Sequence, residues 1–261
     1  ETLEAEPALS PEIAGGSYSP LDSVVNPLLL NLGFLNSAKS RGARVYTGVD
    51  VTGVGIKHGK VREVLTSKGK IQTPLIINAT GAVAADLAAK AGCPLPIKPR
   101  RGQILVTESV PTLLRHSLLA AKYIAAKYNP EIGKTEGMGF AIEQTANGNI
   151  LIGSTREFVG FDKRTTWQGI QTMARNIIRV IPALKDLFVI RAFAGLRPYT
   201  PDGLPILGPL PHVKGFIMAA GHEGDGIFLA PITGFILAEY IANGQAPYSL
   251  ETFRPDRFEE A

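Results

Sequence analysis

The sequence predicts an α/β (α+β) fold in which a partial parallel sheet and an antiparallel sheet occupy different stretches of one chain. Two continuous apolar runs, residues 75–79 and 215–220, each lead through glycine into a helical pattern, as buried parallel strands do before their helices. Between them lie alternating segments, residues 103–108, 138–144 and 149–154, and the last two meet through Asn147 and Gly148, a strong hairpin signal. The pattern therefore leaves the first type of sheet near Pro94 and returns to it after Gly195.

In chain order, residues 1–23 are rich in Pro, Gly, Ser and acids and read as a loop. Asn26 and Pro27 supply a helix cap and first residue, Leu28, Leu29, Leu32 and Leu35 recur at helical spacing through Lys39, and Gly42 stands at the stop. A strand is expected over residues 44–47. A meander follows over 49–56, 61–66 and 70–73, with turns at 57–60 and 68–69. After the apolar run 75–79 come Thr80, Gly81 and an Ala-rich helix over 83–91, closed by Gly92.

Residues 118–128 carry both signals, Ala for helix and Tyr123, Ile124 and Tyr128 for strand, and are read as strand. Trp167, Ile170, Ala174, Ile177 and Ile181 share one helical face behind a Thr165 or Thr166 cap, and Pro182 ends that helix. A strand over 189–194 delivers the chain to Gly195–Leu196–Arg197–Pro198–Tyr199–Thr200–Pro201–Asp202–Gly203. A last helix is expected over 227–242, closed by Gly244, with Pro231 near its first turn, where a missing N–H costs least. From Gln245 the chain reads as a polar tail.

Composition narrows the function classes. A chain of 261 residues with 45% apolar and 19% charged residues fits a globular protein of one large or two smaller domains. Its net charge of +4 is scattered without interleaved aromatics, which argues against nucleic acid as a partner. The densest basic run, Lys98, Pro99, Arg100 and Arg101, reads as the solvated start of a strand, or else as an anion contact. Cys93 is the single cysteine, so no intrachain disulfide forms; it reads as a buried filler in a cytoplasmic protein. No run approaches the roughly 18 apolar residues of a transmembrane helix. The four histidines stand far apart with no ligand spacing, so no metal site is expected.

Two loops carry the candidate chemistry. Arg197 ends a strand and stays protonated, which suits bidentate capture of a carboxylate, or else a structural ion pair. Pro201, Asp202 and Gly203 follow Thr200 in type I turn order, so Asp202 reads as a turn former. Gly221, His222, Glu223, Gly224, Asp225 and Gly226 sit between a strand and a helix. Their helix N-terminus can stabilise an anionic ligand atom, or the glycines serve a simple turn. Gly81 likewise either lets the backbone approach a ligand or makes a tight turn. The order Gly-x-Gly-x-x-Gly is absent: after Gly53 and Gly55 the third position holds His58.

Across nearly its whole length the chain resembles the flavin-dependent amino-acid oxidoreductases of the D-amino acid oxidase, glycine oxidase and sarcosine oxidase type. The residues that carry the resemblance are Gly15, Gly16 and Tyr18; Val25, Asn26 and Pro27; Asn78–Ala79–Thr80–Gly81; Arg101–Gly102–Gln103; residues 195–208; and residues 220–231, the last two being the specific ones. Within the family the version here looks closest to catalytic subunits of amino-acid dehydrogenases of the D-hydroxyproline or proline type.

The resemblance implies an FAD domain that alternates along the chain with a substrate domain. Residues 1–24 would enter from the substrate domain, 25–93 and 195–246 would form part of the FAD domain, 94–194 the substrate domain, and 247–261 a tail. It implies that Arg197 pairs with the substrate carboxylate, that His222, Glu223, Gly224, Asp225, Gly226, Ile227 and Phe228 line a non-covalent flavin with Gly81, and that Val51 touches its adenine side by the backbone. A second substrate arginine of glycine oxidase falls at Gly224, so that enzyme's substrate is not implied. The family's first strand, glycine loop and helix would precede Glu1. The expectation is thus a C-terminal portion of an enzyme oxidising a small amino or imino acid, poor in FAD and inactive by itself; the alternative is a non-catalytic assembly module that needs a partner subunit.

Overall fold

The computed structural model describes residues 1–128 and 140–259. In chain order its elements are α1 (Thr2–Ala5), α2 (Pro27–Ser40), β1 (Val51–Lys57), β2 (Lys60–Thr66), β3 (Gly69–Gln72), β4 (Ile76–Asn78), α3 (Ala84–Lys90), β5 (Lys98–Ser109), β6 (Leu118–Leu119) and α4 (Ala121–Tyr128). Then follow β7 (Ala141–Gln144), β8 (Asn149–Gly153), α5 (Trp167–Val180), β9 (Val189–Tyr199), β10 (Ile206–Pro209), β11 (Phe216–Ala220) and α6 (Gly226–Asn243). The chain divides into two compact units, one of residues 1–24 and 100–196, the other of 25–99 and 197–261.

The first unit is built on a five-stranded sheet in the order β6-β7-β8-β5-β9. Gly148, at φ 86°, closes the β7–β8 hairpin by donating its N–H to the Thr145 carbonyl at 2.9 Å. Helix α5 starts at Thr166, whose hydroxyl accepts the Gly169 N–H at 3.2 Å, and buries Met173 and Ile177 against Leu105, Ile142, Ile150 and Ile152 of the sheet. Arg100 and Arg101 are buried here, so the reading of that run as solvated is corrected. Arg101 meets both oxygens of Glu157, at 3.0 and 3.1 Å, and donates to the Arg164 carbonyl at 2.9 Å. A planar guanidinium tolerates burial when its donors are taken up in this forked way.

Residues 118–128 are also corrected: only Leu118 and Leu119 pair as strand, and helix follows. The alanines decide, while Tyr123 is spent on packing, its ring under the Arg156 guanidinium at 4.4 Å. Positions 138 and 139 of the expected strand lie outside the described residues. The opening loop contains the short helix α1, and the Glu6 carboxylate accepts the N–H groups of Arg115 and His116, each at 2.9 Å.

The second unit holds two three-stranded sheets, β1-β2-β3, an antiparallel meander, and β10-β11-β4. In the latter, β11 runs parallel to β4 with Phe216 opposite Ile76 and Met218 opposite Asn78, while β10 is antiparallel to β11. Their core gathers Val61, Ile76, Leu87, Ala88, Cys93, Ile206, Phe216 and Met218. Asn78, fully buried, donates to the Ala84 carbonyl at 2.9 Å and accepts from the Thr80 hydroxyl at 2.7 Å, which fixes the turn that carries Gly81.

Three expectations for this unit change. Residues 44–47 form no strand, because no neighbouring strand among the described residues supplies their hydrogen bonds, and Val45 and Tyr46 are exposed. Helix α6 begins at Gly226, one residue early, so Pro231 falls in its second turn and withholds an N–H from the Ile227 carbonyl. The tail after Gln245 is docked: Phe258 packs on the core, and Arg257 binds Asp202 at 2.7 Å and the Leu204 carbonyl at 3.0 Å. The 18 residues of α6 are long and apolar enough to cross a membrane by length and composition, unlike anything expected from the sequence, although Thr233, Ile236 and Leu237 bury one face in the unit.

Candidate functional site

The parallel pairing of β4 and β11 determines where a site can form. Both strands end in the same direction, so the turns that follow them, at Gly81 and Gly221, open on one edge of the sheet, the edge at which open α/β sheets bind ligands. Gly81 has φ 63° and nothing within 4 Å of where a Cβ would stand, so its backbone borders open space. Gly221, at φ 84°, is packed instead: a Cβ would stand 2.8 Å from the Thr200 methyl.

Thr200 is fully buried and holds the Leu204 carbonyl through its hydroxyl at 2.8 Å. Around it the chain makes the expected turn, the Gly203 N–H reaching the Thr200 carbonyl at 3.1 Å and the Leu204 N–H reaching Asp202 at 3.1 Å. Arg257 on Asp202 holds that carboxyl below its ordinary range, against a burial that raises it. Asp202 is therefore a structural acid.

The loop from Gly221 to Gly226 lies against the end of β9. The Glu223 N–H donates to the Pro198 carbonyl at 3.1 Å, and a Cβ on Gly224 would stand 3.9 Å from Arg197 Nε. Arg197 and the loop thus form one local structure. Glu223 itself is 7% exposed and has φ 48°, a left-handed conformation that a residue with a Cβ takes at a cost. Its carboxylate accepts the Gly224 N–H at 2.6 Å.

His222 is half-buried, with Nε2 3.0 Å from the Thr233 hydroxyl one helix face away. Burial lowers its pKa while Asp225 pulls it upward, so the ring is neutral at pH 7. Asp225 caps α6 by position but not by side chain, and the first helix hydrogen bond is Leu229 N–H to the Asp225 carbonyl at 3.1 Å. The N–H groups of Gly226, Ile227 and Phe228 precede it and have no carbonyl of their own helix to bind. Phe228 beside them is 69% exposed. An apolar cavity of about 730 Å³ adjoins the loop, lined by Ile77, Ala79, His222, Gly226, Ala230 and Thr233 among others.

These features fit a flat, partly anionic cofactor. Bare backbone at Gly81, a helix N-terminus with unspent donors, and an exposed aromatic and aliphatic pair at Phe228 and Ile227 are what a flavin and its phosphates need. The structure therefore brings Arg197 together with His222, Glu223, Gly224, Asp225, Gly226, Ile227 and Phe228. Val51 opens β1, in the meander sheet rather than in the sheet that carries Gly81 and the loop. Sequence reasoning missed Thr233 and the Pro198 carbonyl. Neither has a local signature, since one is a helix-interior threonine eleven residues from its partner and the other a backbone atom.

Comparison with known proteins adds the relationship. Residues 1–240 match the DAO family model, described as FAD dependent oxidoreductase. The chain is 37% identical over 259 residues to the hydrogen cyanide synthase subunit HcnC of Pseudomonas protegens, covering 98% of this chain and 58% of that protein. It is 29% identical over 255 residues to glycine oxidase of Geobacillus kaustophilus, covering 97% of this chain and 63% of the enzyme. Among solved structures, L-proline dehydrogenase from P. horikoshii superposes with a TM-score of 0.89 at 29% identity, over 99% of this chain and 67% of that one. The chain thus spans about three fifths of the length of the curated relatives it matches.

Proposed function

The chain belongs to the DAO family of FAD-dependent oxidoreductases, and from that premise we propose that the intact protein oxidises a small amino or imino acid. The observation that carries the reading is Arg197 beside the glycine loop, where a Cβ on Gly224 would stand 3.9 Å from its Nε, so that a cation and a helix N-terminus are built into one structure. The L-proline dehydrogenase and glycine oxidase likenesses point to the same substrate class.

Under this reading FAD is held by Gly81, by residues 222–228 and by the backbone at Val51, and when bound it supplies the two-electron acceptor. The reading takes the attachment as non-covalent: Cys93, the one cysteine of these 261 residues, is buried among apolar side chains of the core. Arg197 binds the substrate carboxylate in a fork and so orients the α carbon. The N–H groups of Gly226 and Ile227, at the positive end of the α6 dipole, would stabilise negative charge on a bound flavin. His222, neutral and held by Thr233, adds no charge that would compete for the carboxylate. A reduced Cys93 also suits a cytoplasmic protein.

The test replaces Arg197 by Met in the full-length protein and compares kcat/KM on amino acids and on the matching amines. A loss well above tenfold is expected for the amino acid alone. A loss below about tenfold, roughly 1.4 kcal/mol, removes Arg197 from the carboxylate and with it this reading.

A second reading rests on a different observation. Strand β4 is the edge of its sheet, with Ile77 47% exposed, and α2 leaves Leu28 and Leu29 74% and 65% exposed. Surfaces of this kind call for cover. In this reading the 261 residues are an assembly module that another subunit or further chain completes.

A further inference from the structure

We propose that Arg156 anchors an anion site in the first unit, one that takes a single carboxylate group. The inference goes beyond the reading of Arg197 and does not depend on it. Arg156 follows β8, and its guanidinium lies over the Tyr123 ring of α4 at 4.4 Å. A ring contact covers one face of the guanidinium plane and uses none of the N–H groups that lie in the plane, so those donors stay unspent. Nε and Nη1 are closed off from solvent without a hydrogen-bond partner, and Arg156 has no ion pair among the described residues.

The carboxylate next to it in sequence is committed elsewhere. Glu157 Oε1 accepts from Arg101 at 3.0 Å, and Oε2 accepts from Arg101, Gln103 and Thr155 at 3.1, 2.8 and 2.7 Å. Adjacent residues of an extended chain point to opposite sides, so Glu157 turns to that network and Arg156 to Tyr123. The fold thus treats two arginines differently. Arg101 is buried with its donors taken up in a fork, whereas Arg156 has two buried nitrogens and nothing to accept from them. Desolvating a cation costs more than contact with one aromatic ring returns, and a bound oxyanion removes that deficit. The surroundings are polar too, with Tyr123 Oη and Ser154 Oγ 3.3 Å apart at the hydroxyl end of the ring. Arg156 as a whole is half-buried while Nε and Nη1 are shut off, so an anion enters by way of Nη2. Nη2 shares one edge of the guanidinium plane with Nε and the other with Nη1, and either edge offers the parallel N–H pair that suits a carboxylate. One guanidinium balances one negative charge, which favours a carboxylate over a doubly charged phosphate.

Thermal stability of the full-length protein carrying FAD reads the site, since an anion bound only by the folded state raises the melting temperature. Sodium acetate, sodium phosphate and sodium chloride are compared at about pH 7.5, where acetate is ionised, and at equal ionic strength, which cancels screening. Acetate is expected to raise the melting temperature of the parent by at least about 2 °C over chloride, and phosphate to raise it less. In Arg156→Met the midpoint of the acetate titration should move at least about tenfold, because the charge-assisted contact is gone. Arg156→Gln, which keeps a polar side chain without the charge, must lose the acetate effect to the same extent. Arg197→Met is the control and must keep it; loss of the effect in Arg197→Met alone would place acetate at Arg197 and sink the proposal. In chloride, Arg156→Met should melt no lower than the parent, because it gives up a cation that has no acceptor. A variant melting well below the parent in chloride would show that Arg156 is already paired in the whole protein, and the proposal fails. It fails equally if acetate protects parent and variant alike or protects neither, and protection by phosphate without acetate overturns the carboxylate assignment.

Discussion

Gly221 offers the sharpest test of how the loop is held. Replacing it by Ala adds one methyl at φ 84°, where a left-handed backbone costs an L-residue about 1–2 kcal/mol. The added Cβ would also stand 2.8 Å from the Thr200 methyl and 3.3 Å from the Ile206 nitrogen. Thr200 cannot withdraw cheaply, because it is fully buried and its hydroxyl holds the Leu204 carbonyl at 2.8 Å. Relief of such overpacking typically costs about 1–3 kcal/mol more, so Gly221→Ala is expected to destabilise by about 2–5 kcal/mol. Gly234 is the control. It lies inside α6 with nothing within 4 Å of a Cβ, so Gly234→Ala should stabilise by up to about 1 kcal/mol. Scanning calorimetry of the two variants should give melting temperatures on opposite sides of the parent, Gly221→Ala lower by roughly 4–20 °C. A Gly221→Ala protein melting within about 1 °C of the parent would show that the loop yields to a methyl and that its packing on Thr200 positions nothing.

Two further outcomes follow from the same site. Burial holds the His222 pKa below 6.5, so the unfolded chain takes up the proton first, and stability falls as pH drops through 6.5 towards the folded value. His222→Gln should flatten that part of the profile when urea unfolding is compared at about pH 7.5 and about pH 5.5; an unchanged slope would assign it elsewhere. The purified 261-residue chain, which contains no Gly-x-Gly-x-x-Gly turn, should release added FAD on desalting and associate through its exposed apolar faces. Retained flavin absorbance at near-equimolar yield, or a monomer by light scattering, would contradict the respective half of that expectation.

What the sequence made legible was the part governed by neighbours in the chain. Asn26 before Pro27, Thr166 before Trp167, Asn147 beside Gly148 and Gly244 after Asn243 each act over one turn, and each stands where its chemistry assigns it. Elements that depend on distant partners were less legible. Residues 44–47 have strand composition, but a strand is made by a neighbour, and none stands beside it among the described residues. Arg101 looks solvated until the carboxylate of Glu157, 56 residues away, is brought to it, and Arg100 until the Phe158 ring is brought beneath its guanidinium at 5.5 Å. The docking of Arg257 on Asp202 spans 55 residues and turned an apparent tail into part of the unit.

The site shows the same division at finer scale. Composition located the glycine loop because glycine is rare between an apolar strand and a helix unless the backbone needs it. Composition could not tell which of its residues carries the unusual conformation. Glycine at 224 and 226 would be the natural guess, yet positive φ falls on Gly221 and Glu223. The reason lies outside the loop. Glu223 is turned by the Pro198 carbonyl on a strand 25 residues away, and a Cβ at 224 would stand in ordinary contact with Arg197 Nε, at 3.9 Å. Glycine at 221 thus serves two purposes that sequence cannot separate, a left-handed conformation and clearance beside Thr200.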